Sequence, residues 1–169
     1  MSVPQARSGE PGRDLMLEAL KAMERGFDQQ AGYKPFGAAV ARDGVLIAAG
    51  LNTCSRDADP TAHAEVNAIR AAAKVLNTTD LSDCVLYASA QPCPMCRAAA
   101  FHAGITSIFY ASTWCDYQDL FPDQACHEAL SLDPDPAAQL SEAHHAETLK
   151  LWAHYRQSCR HSDDAGIQP

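Results

Sequence analysis

The chain has 169 residues, of which 47% are hydrophobic and 20% are charged, and its formal net charge at pH 7 is −8. This length supports one domain with a substantial core and is short for two. The negative charge disfavours contact with a phosphate backbone, and no apolar run is long enough to span a bilayer. We therefore expect a cytoplasmic protein that binds neither nucleic acid nor membrane.

The two ends of the chain differ in composition from the part between them. Residues 1–13 are rich in Pro, Gly and Ser, so we expect a disordered leader there, and residues 161–169 are expected to form a disordered tail. Residues 14–160 are predicted to form a single domain. Its seven cysteines are an odd number and nothing in the sequence suggests secretion, so we do not expect a disulfide framework.

The domain is predicted to begin with a helix and a hairpin. Apolar residues recur at three- and four-residue steps from Met16 to Phe27, as on one face of an amphipathic helix. Two apolar runs, 35–41 and 45–50, flank an Asp-Gly turn and are typical of an antiparallel pair of strands. Both runs are almost continuously apolar, which indicates a sheet covered on both faces.

Helix and strand alternate in the next part of the chain. A polar loop over 52–61 leads to a predicted helix from His63, and the apolar segment 84–88 is predicted to be a strand. A second helix is expected after Pro92, because proline is tolerated in a first turn, and a strand over 106–110 follows it. This order predicts an α/β layered domain whose late strands pair in parallel.

The last part of the chain is less regular. The stretch 111–136 contains Trp114 and several other aromatic residues, and we interpret it either as a lid over a site or as a packed surface loop. From Gln139 to Arg160 the composition again favours a helix.

Two short motifs have the spacing of a catalytic zinc site. His63-x-Glu65 and Cys93-x-x-Cys96 each open a predicted helix. Zn²⁺ prefers imidazole nitrogen and thiolate sulfur, and a catalytic site uses three protein ligands and leaves a fourth position for water. His63, Cys93 and Cys96 make this set, which leaves Glu65 to accept and return protons. His63 and Glu65 point to opposite sides of a helix, so the metal must lie at its N-terminus.

A purely structural zinc site is the alternative interpretation of these motifs. It would need a fourth protein ligand, and Cys54 is one candidate. A structural site has no use for a glutamate beside its histidine, so Glu65 favours catalysis. The combination of His-x-Glu with a later Pro-Cys-x-x-Cys is the known signature of the zinc nucleobase deaminases.

The sequence resembles the cytidine deaminase superfamily, and within it most closely the bacterial guanine deaminases. The likeness rests on Pro-Phe-Gly-Ala at 35–38, on Asp-Pro-Thr-Ala-His-Ala-Glu-Val at 59–66, and on the stretch 83–96. The resemblance implies a three-layer α/β/α sandwich with a mixed sheet of about five strands. It also implies one zinc ion per subunit, and a homodimer in which the C-terminal helical segment can be exchanged between subunits.

The resemblance further implies roles for individual residues. Phe36, Asn52, Ala64 and Trp114 are expected to contact the substrate ring, and Asp116 is expected to be a second catalytic carboxylate that handles protons. The sequence departs from the family in two places. Ala-Gln-Pro-Cys at 90–93 stands where relatives commonly carry Cys-Glu-Pro-Cys, and the region 113–125 lacks the usual guanine deaminase pattern. The first departure removes a charge just before the first zinc cysteine, and the second bears on which ring fits. Both leave the zinc ligands intact.

These residues predict hydrolytic deamination of a free amino-substituted ring, either guanine or a related purine, triazine or pyrimidine base. Water activated by zinc would attack the ring carbon that bears the amine, and Glu65 would act as general base and then as general acid. A transfer-RNA wobble adenosine deaminase shares these motifs and is an alternative, as is a cytosine-type pyrimidine deaminase. A nucleotide-binding module without catalysis is a third class.

Overall fold

The structure is a computed structural model that describes residues 14–27, 33–121 and 138–164, so the predicted leader 1–13 lies outside the described residues. No helix in these ranges is long and apolar enough to cross a bilayer. The elements, in chain order, are α1 (Leu15–Arg25), β1 (Lys34–Arg42), β2 (Val45–Asn52), α2 (Cys54–Asp57), α3 (Ala64–Leu76), β3 (Cys84–Ala88), α4 (Pro94–His102), β4 (Ile108–Tyr110), a 3₁₀ turn (Trp114–Asp116), β5 (Ala138–Leu140) and α5 (Glu142–Asp164).

The strands form one mixed sheet of five strands in the order β2-β1-β3-β4-β5. β1 runs antiparallel to both β2 and β3, whereas β4 runs parallel to β3 and β5. Val40 pairs with Leu86, and Leu86 pairs with Ile108, so three buried side chains cross the middle of the sheet. The expected mixed sheet and its late parallel pairing are confirmed.

Two glycines show that helices cover both faces of the sheet. A Cβ atom at Gly37 in β1 would collide with the backbone of Ala19 in α1, and one at Gly50 in β2 would collide with the backbone of Ala64 in α3. Gly50 pairs with Ala38, so these two residues project to the same face, and the neighbouring Gly37 projects to the other. α1 and α3 therefore lie on opposite faces and approach the sheet closely.

The remaining long helices complete the two outer layers. α5 packs beside α1, where the ring centroid of Phe27 lies 5.4 Å from that of Tyr155. α4 contacts α3 on the other face. The predicted three-layer α/β/α sandwich is confirmed, and the site described below lies where α3 and α4 begin.

The C-terminal region differs from the sequence-based expectation. Residues 138–140, of which 139 and 140 were assigned to a helix, form a strand parallel to β4. Ser141 N then donates to Tyr110 O, and Ser141 O accepts from the backbone N–H groups of His144 and His145, so the helix begins only after Ser141. A three-residue strand is too short to show an alternating pattern. The helix continues to Asp164, past the predicted tail boundary at His161, and residues 165–169 lie outside the described range.

Two predicted loops contain short helical turns. The loop over 52–61 includes α2, and the irregular stretch 111–136 includes the 3₁₀ turn at Trp114–Asp116. Thr113 and Asp116 close this turn as a reciprocal capping box. Residues 122–136, more than half of the stretch interpreted as a lid or a packed surface loop, lie outside the described residues.

Candidate active site

Two of the three predicted zinc ligands occupy the N-cap positions of helices. His63 precedes α3 with φ −65° and ψ 156°, and Cys93 precedes α4 with φ −68° and ψ 166°. An N-cap side chain normally accepts a hydrogen bond from its own helix, but neither of these side chains does so. Their donor atoms are therefore available to a metal. The third ligand, Cys96, lies in the first turn of α4 and is 0% exposed.

The three side chains converge on one point. His63 Nδ1 lies 3.6 Å from Cys93 Sγ and 3.5 Å from Cys96 Sγ, and the two sulfurs are 3.5 Å apart. With Zn–S bonds of about 2.3 Å and Zn–N bonds of about 2.1 Å, a tetrahedral ion separates two sulfurs by about 3.8 Å and a sulfur from a nitrogen by about 3.6 Å. The triad matches these separations to within a few tenths of an ångström, so its geometry and its donor atoms both fit zinc.

The two thiols of the triad differ in acidity. A hydrogen bond from Cys96 lowers the pKa of Cys93 to about 4, and the contact with His63 acts in the same direction. Donation to Cys93, together with burial, raises the pKa of Cys96. Since zinc binds thiolates, both sulfurs are deprotonated when the metal is bound.

Glu65 lies in the first turn of α3, two residues after His63. Its side chain is nearly buried, at 8% exposed, and it lines the same pocket as His63 and Cys93. Burial raises the pKa of Glu65, which makes this carboxylate a stronger base than a glutamate in water. A carboxylate with a raised pKa beside three metal ligands is suited to repeated proton transfer.

The polar loop before α3 is held in place by Asn67. Its Nδ2 atom lies 2.9 Å from Leu51 O, 3.0 Å from Thr53 Oγ1 and 3.2 Å from Ala62 O. These contacts join both ends of the loop to the second turn of α3, so the backbone that carries His63 is fixed. This positioning role of Asn67 was not predicted from the sequence.

A pocket opens in front of the triad. Its wall is formed, among the described residues, by Phe36, Asn52, His63, Glu65, Ala90, Gln91, Cys93 and Tyr117. The rings of Phe36 and Tyr117 meet edge to face with centroids 5.5 Å apart, and both are almost fully buried. The pocket therefore combines an aromatic wall, two side-chain amides and two of the three metal ligands.

Three predicted site residues do not reach this wall. Ala64 is fully buried against β2, and Trp114 packs edge-on behind Tyr117 at a centroid distance of 5.2 Å. Asp116 Oδ2 accepts hydrogen bonds from Thr113 N at 2.7 Å and Thr113 Oγ1 at 2.9 Å. The structure thus gives Asp116 a capping role. The expected substrate contacts of Ala64 and Trp114 and the expected catalytic role of Asp116 stay predictions.

Three residues of the wall were not predicted, namely Ala90, Gln91 and Tyr117. Gln91 and Ala90 directly precede the Pro-Cys motif, so their position next to a zinc ligand was a usable signal. No sequence signal marked Tyr117, because it follows a short turn whose path depends on packing against the rest of the chain. It lies in the region where the sequence leaves the family pattern.

The fold and the site together define a zinc-dependent hydrolase with a carboxylate beside three metal ligands. The zinc-binding region of cytidine and deoxycytidylate deaminases matches residues 10–112. Guanine deaminase from Bacillus subtilis (strain 168) is 38% identical over 126 residues, covering 72% of this chain and 81% of that protein. The chain therefore belongs to the cytidine and deoxycytidylate deaminase family, and it is a hydrolytic deaminase that acts on C–N bonds.

Two further comparisons agree with this assignment. The crystal structure of guanine deaminase from Bacillus subtilis matches with a TM-score of 0.65 at 33% identity, covering 86% of this chain and 95% of that chain. A tRNA-specific adenosine deaminase from Agrobacterium fabrum is 34% identical over 146 residues, covering 80% of this chain and 86% of that protein. The resemblance predicted from the motifs is confirmed.

Proposed function

We propose that this chain removes the exocyclic amine of free guanine, or of a closely related base, and releases it as ammonia. The observation that carries the proposal is the position of Glu65, buried beside the His63, Cys93 and Cys96 triad in a pocket with an aromatic wall. The similarity to the Bacillus subtilis guanine deaminase in sequence and fold supports guanine as the ring.

The proposed reaction replaces a ring C–NH₂ group with C=O, using one water and releasing one ammonia. Zinc held by His63, Cys93 and Cys96 would supply the Lewis acidity that makes water a nucleophile near neutral pH. Glu65 takes a proton from the attacking water and passes it to a ring nitrogen. Glu65 then takes the second proton and delivers it to the amine, which leaves as ammonia, so one carboxylate serves as base and acid.

The walls of the pocket suit a flat, neutral ring. Phe36 and Tyr117 provide apolar surface for its face, because aromatic rings favour stacked or edge-on contacts. Asn52 and Gln91 each carry one acceptor and two donors, which can pair with the alternating donors and acceptors on the edge of guanine. Asn52 Oδ1 already accepts from Cys54 N at 3.2 Å, which fixes the orientation of its amide.

A transfer-RNA wobble adenosine deaminase is the second candidate, and the similarity to the Agrobacterium fabrum enzyme favours it. That reaction requires the protein to hold an anticodon loop, and such binding depends on cationic side chains that face phosphates. The net charge of −8 argues against a strong contact of this kind. A cytosine-type pyrimidine deaminase is a third candidate that the family itself includes.

One assay separates these candidates. The zinc-loaded protein is incubated with guanine, cytosine, adenine, aminotriazines, nucleosides and an adenosine-containing anticodon stem-loop, and ammonia is measured for each. Guanine should give the largest kcat/KM. Ammonia from the stem-loop alone, from cytosine alone, or from none of them would contradict the proposal, and the last result would support a module that only binds nucleotides.

We also propose that the domain, residues 14–160, acts as a homodimer in the cytoplasm. All the cysteines in the described residues are free thiols, as expected in a reducing compartment. If α5 is exchanged between subunits, the residues that it packs against would belong to the partner subunit. Light scattering of the purified protein should give twice the mass of the chain, and a monomeric mass would contradict the dimer.

A further inference from the structure

The aromatic wall of the pocket is backed by a residue of the C-terminal helix. Trp152 of α5 is 0% exposed, and its ring stacks on Tyr117 with centroids 4.8 Å apart and an interplanar angle of 25°. The same ring meets Phe36 edge-on at 5.5 Å. The rings of Phe36 and Tyr117, which line the pocket, therefore both pack against the Trp152 indole, which lies behind them and outside the pocket wall.

A buried chain of hydrogen bonds fixes this indole to the sheet. Trp152 Nε1 donates to Ser112 Oγ at 3.1 Å, and Ser112 Oγ donates to Ser89 O at 2.8 Å. Ser89 Oγ accepts from Gly37 N at 3.0 Å, and both serines are fully buried. Ser112 O also accepts from Gln91 N at 2.8 Å. The indole is thus connected to the backbone beside Phe36 and to the backbone of Gln91.

The segment that carries Tyr117 has a second attachment to α5. Arg156 Nη2 donates to Asp116 O at 2.8 Å, next to Tyr117 in the chain. The same guanidinium binds both carboxylate oxygens of Asp119, at 2.8 and 2.6 Å. His145, at the start of the helix, lies 2.9 Å from Asp116 Oδ2. Contacts along α5 therefore reach the residues on both sides of Tyr117.

We propose that α5 sets the position of the aromatic wall of the pocket, with Trp152 and Arg156 as its positioning residues. This inference rests on the proposed function, because it assumes a flat ring bound against Phe36 and Tyr117. Neither residue touches the zinc ligands or Glu65, so both should affect how the ring is held and leave the proton transfers unchanged. Their loss should appear in KM for guanine and leave kcat nearly constant.

Three variants test the proposal in the zinc-loaded full chain. Trp152→Phe removes the indole N–H and part of the stacked surface, and Arg156→Gln removes the anchor beside Tyr117 while leaving the core filled. Each should raise KM for guanine about three- to tenfold, the range expected for one disturbed aromatic contact, with kcat within about twofold of the parent. Thr148→Ala is the matched control, since Thr148 is fully buried in α5 and its hydroxyl bonds within the helix to His144 O.

A second readout does not depend on turnover. Near-ultraviolet circular dichroism of Arg156→Gln should lose intensity in the tryptophan bands, because the Trp152 and Tyr117 rings would no longer keep a fixed angle. Unchanged KM and unchanged spectra in Arg156→Gln would overturn the proposal, whether or not Trp152→Phe folds. An equal rise in KM in Thr148→Ala would also overturn it, since the effect would then come from the general stability of α5. If the parent releases no ammonia from guanine, the proposed function fails, and the spectra still decide whether α5 holds Tyr117.

Discussion

His63 Nδ1 lies 3.5 Å from Cys96 Sγ although 33 residues separate them in the chain. The contact exists because α3 and α4 begin at the same place, each with a ligand at its N-cap. Helix N-termini carry partial positive charge, which favours the thiolate and carboxylate forms that the site uses. The meeting of two helix N-termini therefore sets the position of the metal and favours the thiolate form of its cysteine ligands.

Glu65→Gln should retain zinc and lose about two to four decades of kcat, the usual size of a general acid–base contribution. The amide preserves the shape of the side chain but cannot accept the proton of the attacking water. Steady-state ammonia release, with zinc content measured by atomic absorption, checks the prediction. The control is Glu142→Gln, which changes an exposed glutamate at the start of α5. Near-parental turnover in Glu65→Gln would remove this residue from the mechanism.

Cys93→Ala should abolish stoichiometric zinc binding, because only two of the three ligands would remain. Cys115→Ser is the matched control, since Cys115 is an exposed thiol outside the triad. Metal analysis after dialysis should give about one zinc per chain for the parent and for Cys115→Ser. One zinc per chain in Cys93→Ala would show that the three residues are not the ligand set.

Gln91→Leu should raise KM for guanine by about tenfold or more, because leucine has the size of glutamine but lacks the two donors and the acceptor of its amide. The comparison is Gln157→Leu, which makes the same change at an exposed residue of α5. Kinetics on guanine at constant ionic strength measure the effect. A KM unchanged from the parent would mean that the Gln91 amide does not contact the ring.

The ionised carboxylate of Asp116 should stabilise the fold at neutral pH, and this stabilisation should be lost in acid. Its burial alone would raise its pKa, but hydrogen bonds from His145 and Thr113 outweigh that effect and lower the pKa from the ordinary value of 3.8. A group with a lowered folded-state pKa stabilises the protein above its unfolded pKa, and the contribution disappears as pH falls through the folded value. Asp116→Asn should therefore lower the free energy of unfolding by about 1 kcal/mol at pH 7, a modest figure because the pair is partly exposed.

Urea unfolding of the parent and of Asp116→Asn at a series of pH values checks this difference. The gap between the two proteins should narrow steadily as pH falls below about 4. Asp57→Asn is a useful comparison, because Asp57 also has a lowered pKa, through hydrogen bonds from Arg56, but lies in α2 away from α5. A gap that is equal at all pH values would show that the carboxylate charge of Asp116 is not involved.

The sequence predicted the zinc site well because its determinants are local. His63 and Cys93 each stand at the start of a helix, and helix starts can be read from capping patterns, from proline and from apolar periodicity. The spacing within each motif then fixes which side chains share an end of a helix. The same local signals predicted α1, the first hairpin and the parallel pairing of β3 with β4.

The parts that the sequence did not predict depend on contacts between distant residues. The residues of β5 are extended because they pair with β4. Their sequence, Ala-Gln-Leu, has no strand pattern of its own. Tyr117 enters the pocket wall because Trp152, 35 positions later in the chain, stacks against it. A motif contains no information about such a contact, so the ring-binding wall was harder to predict than the metal site.

Deamination of guanine by this site is tested most directly by letting two substrates compete for it. Guanine and an adenosine-containing anticodon stem-loop are mixed at equal concentration with the zinc-loaded protein, and xanthine and inosine are measured by mass spectrometry. We expect xanthine to form with one ammonia per turnover, and Glu65→Gln, with zinc retained, to form almost none. Inosine as the main product, or no product from either substrate, would contradict this expectation.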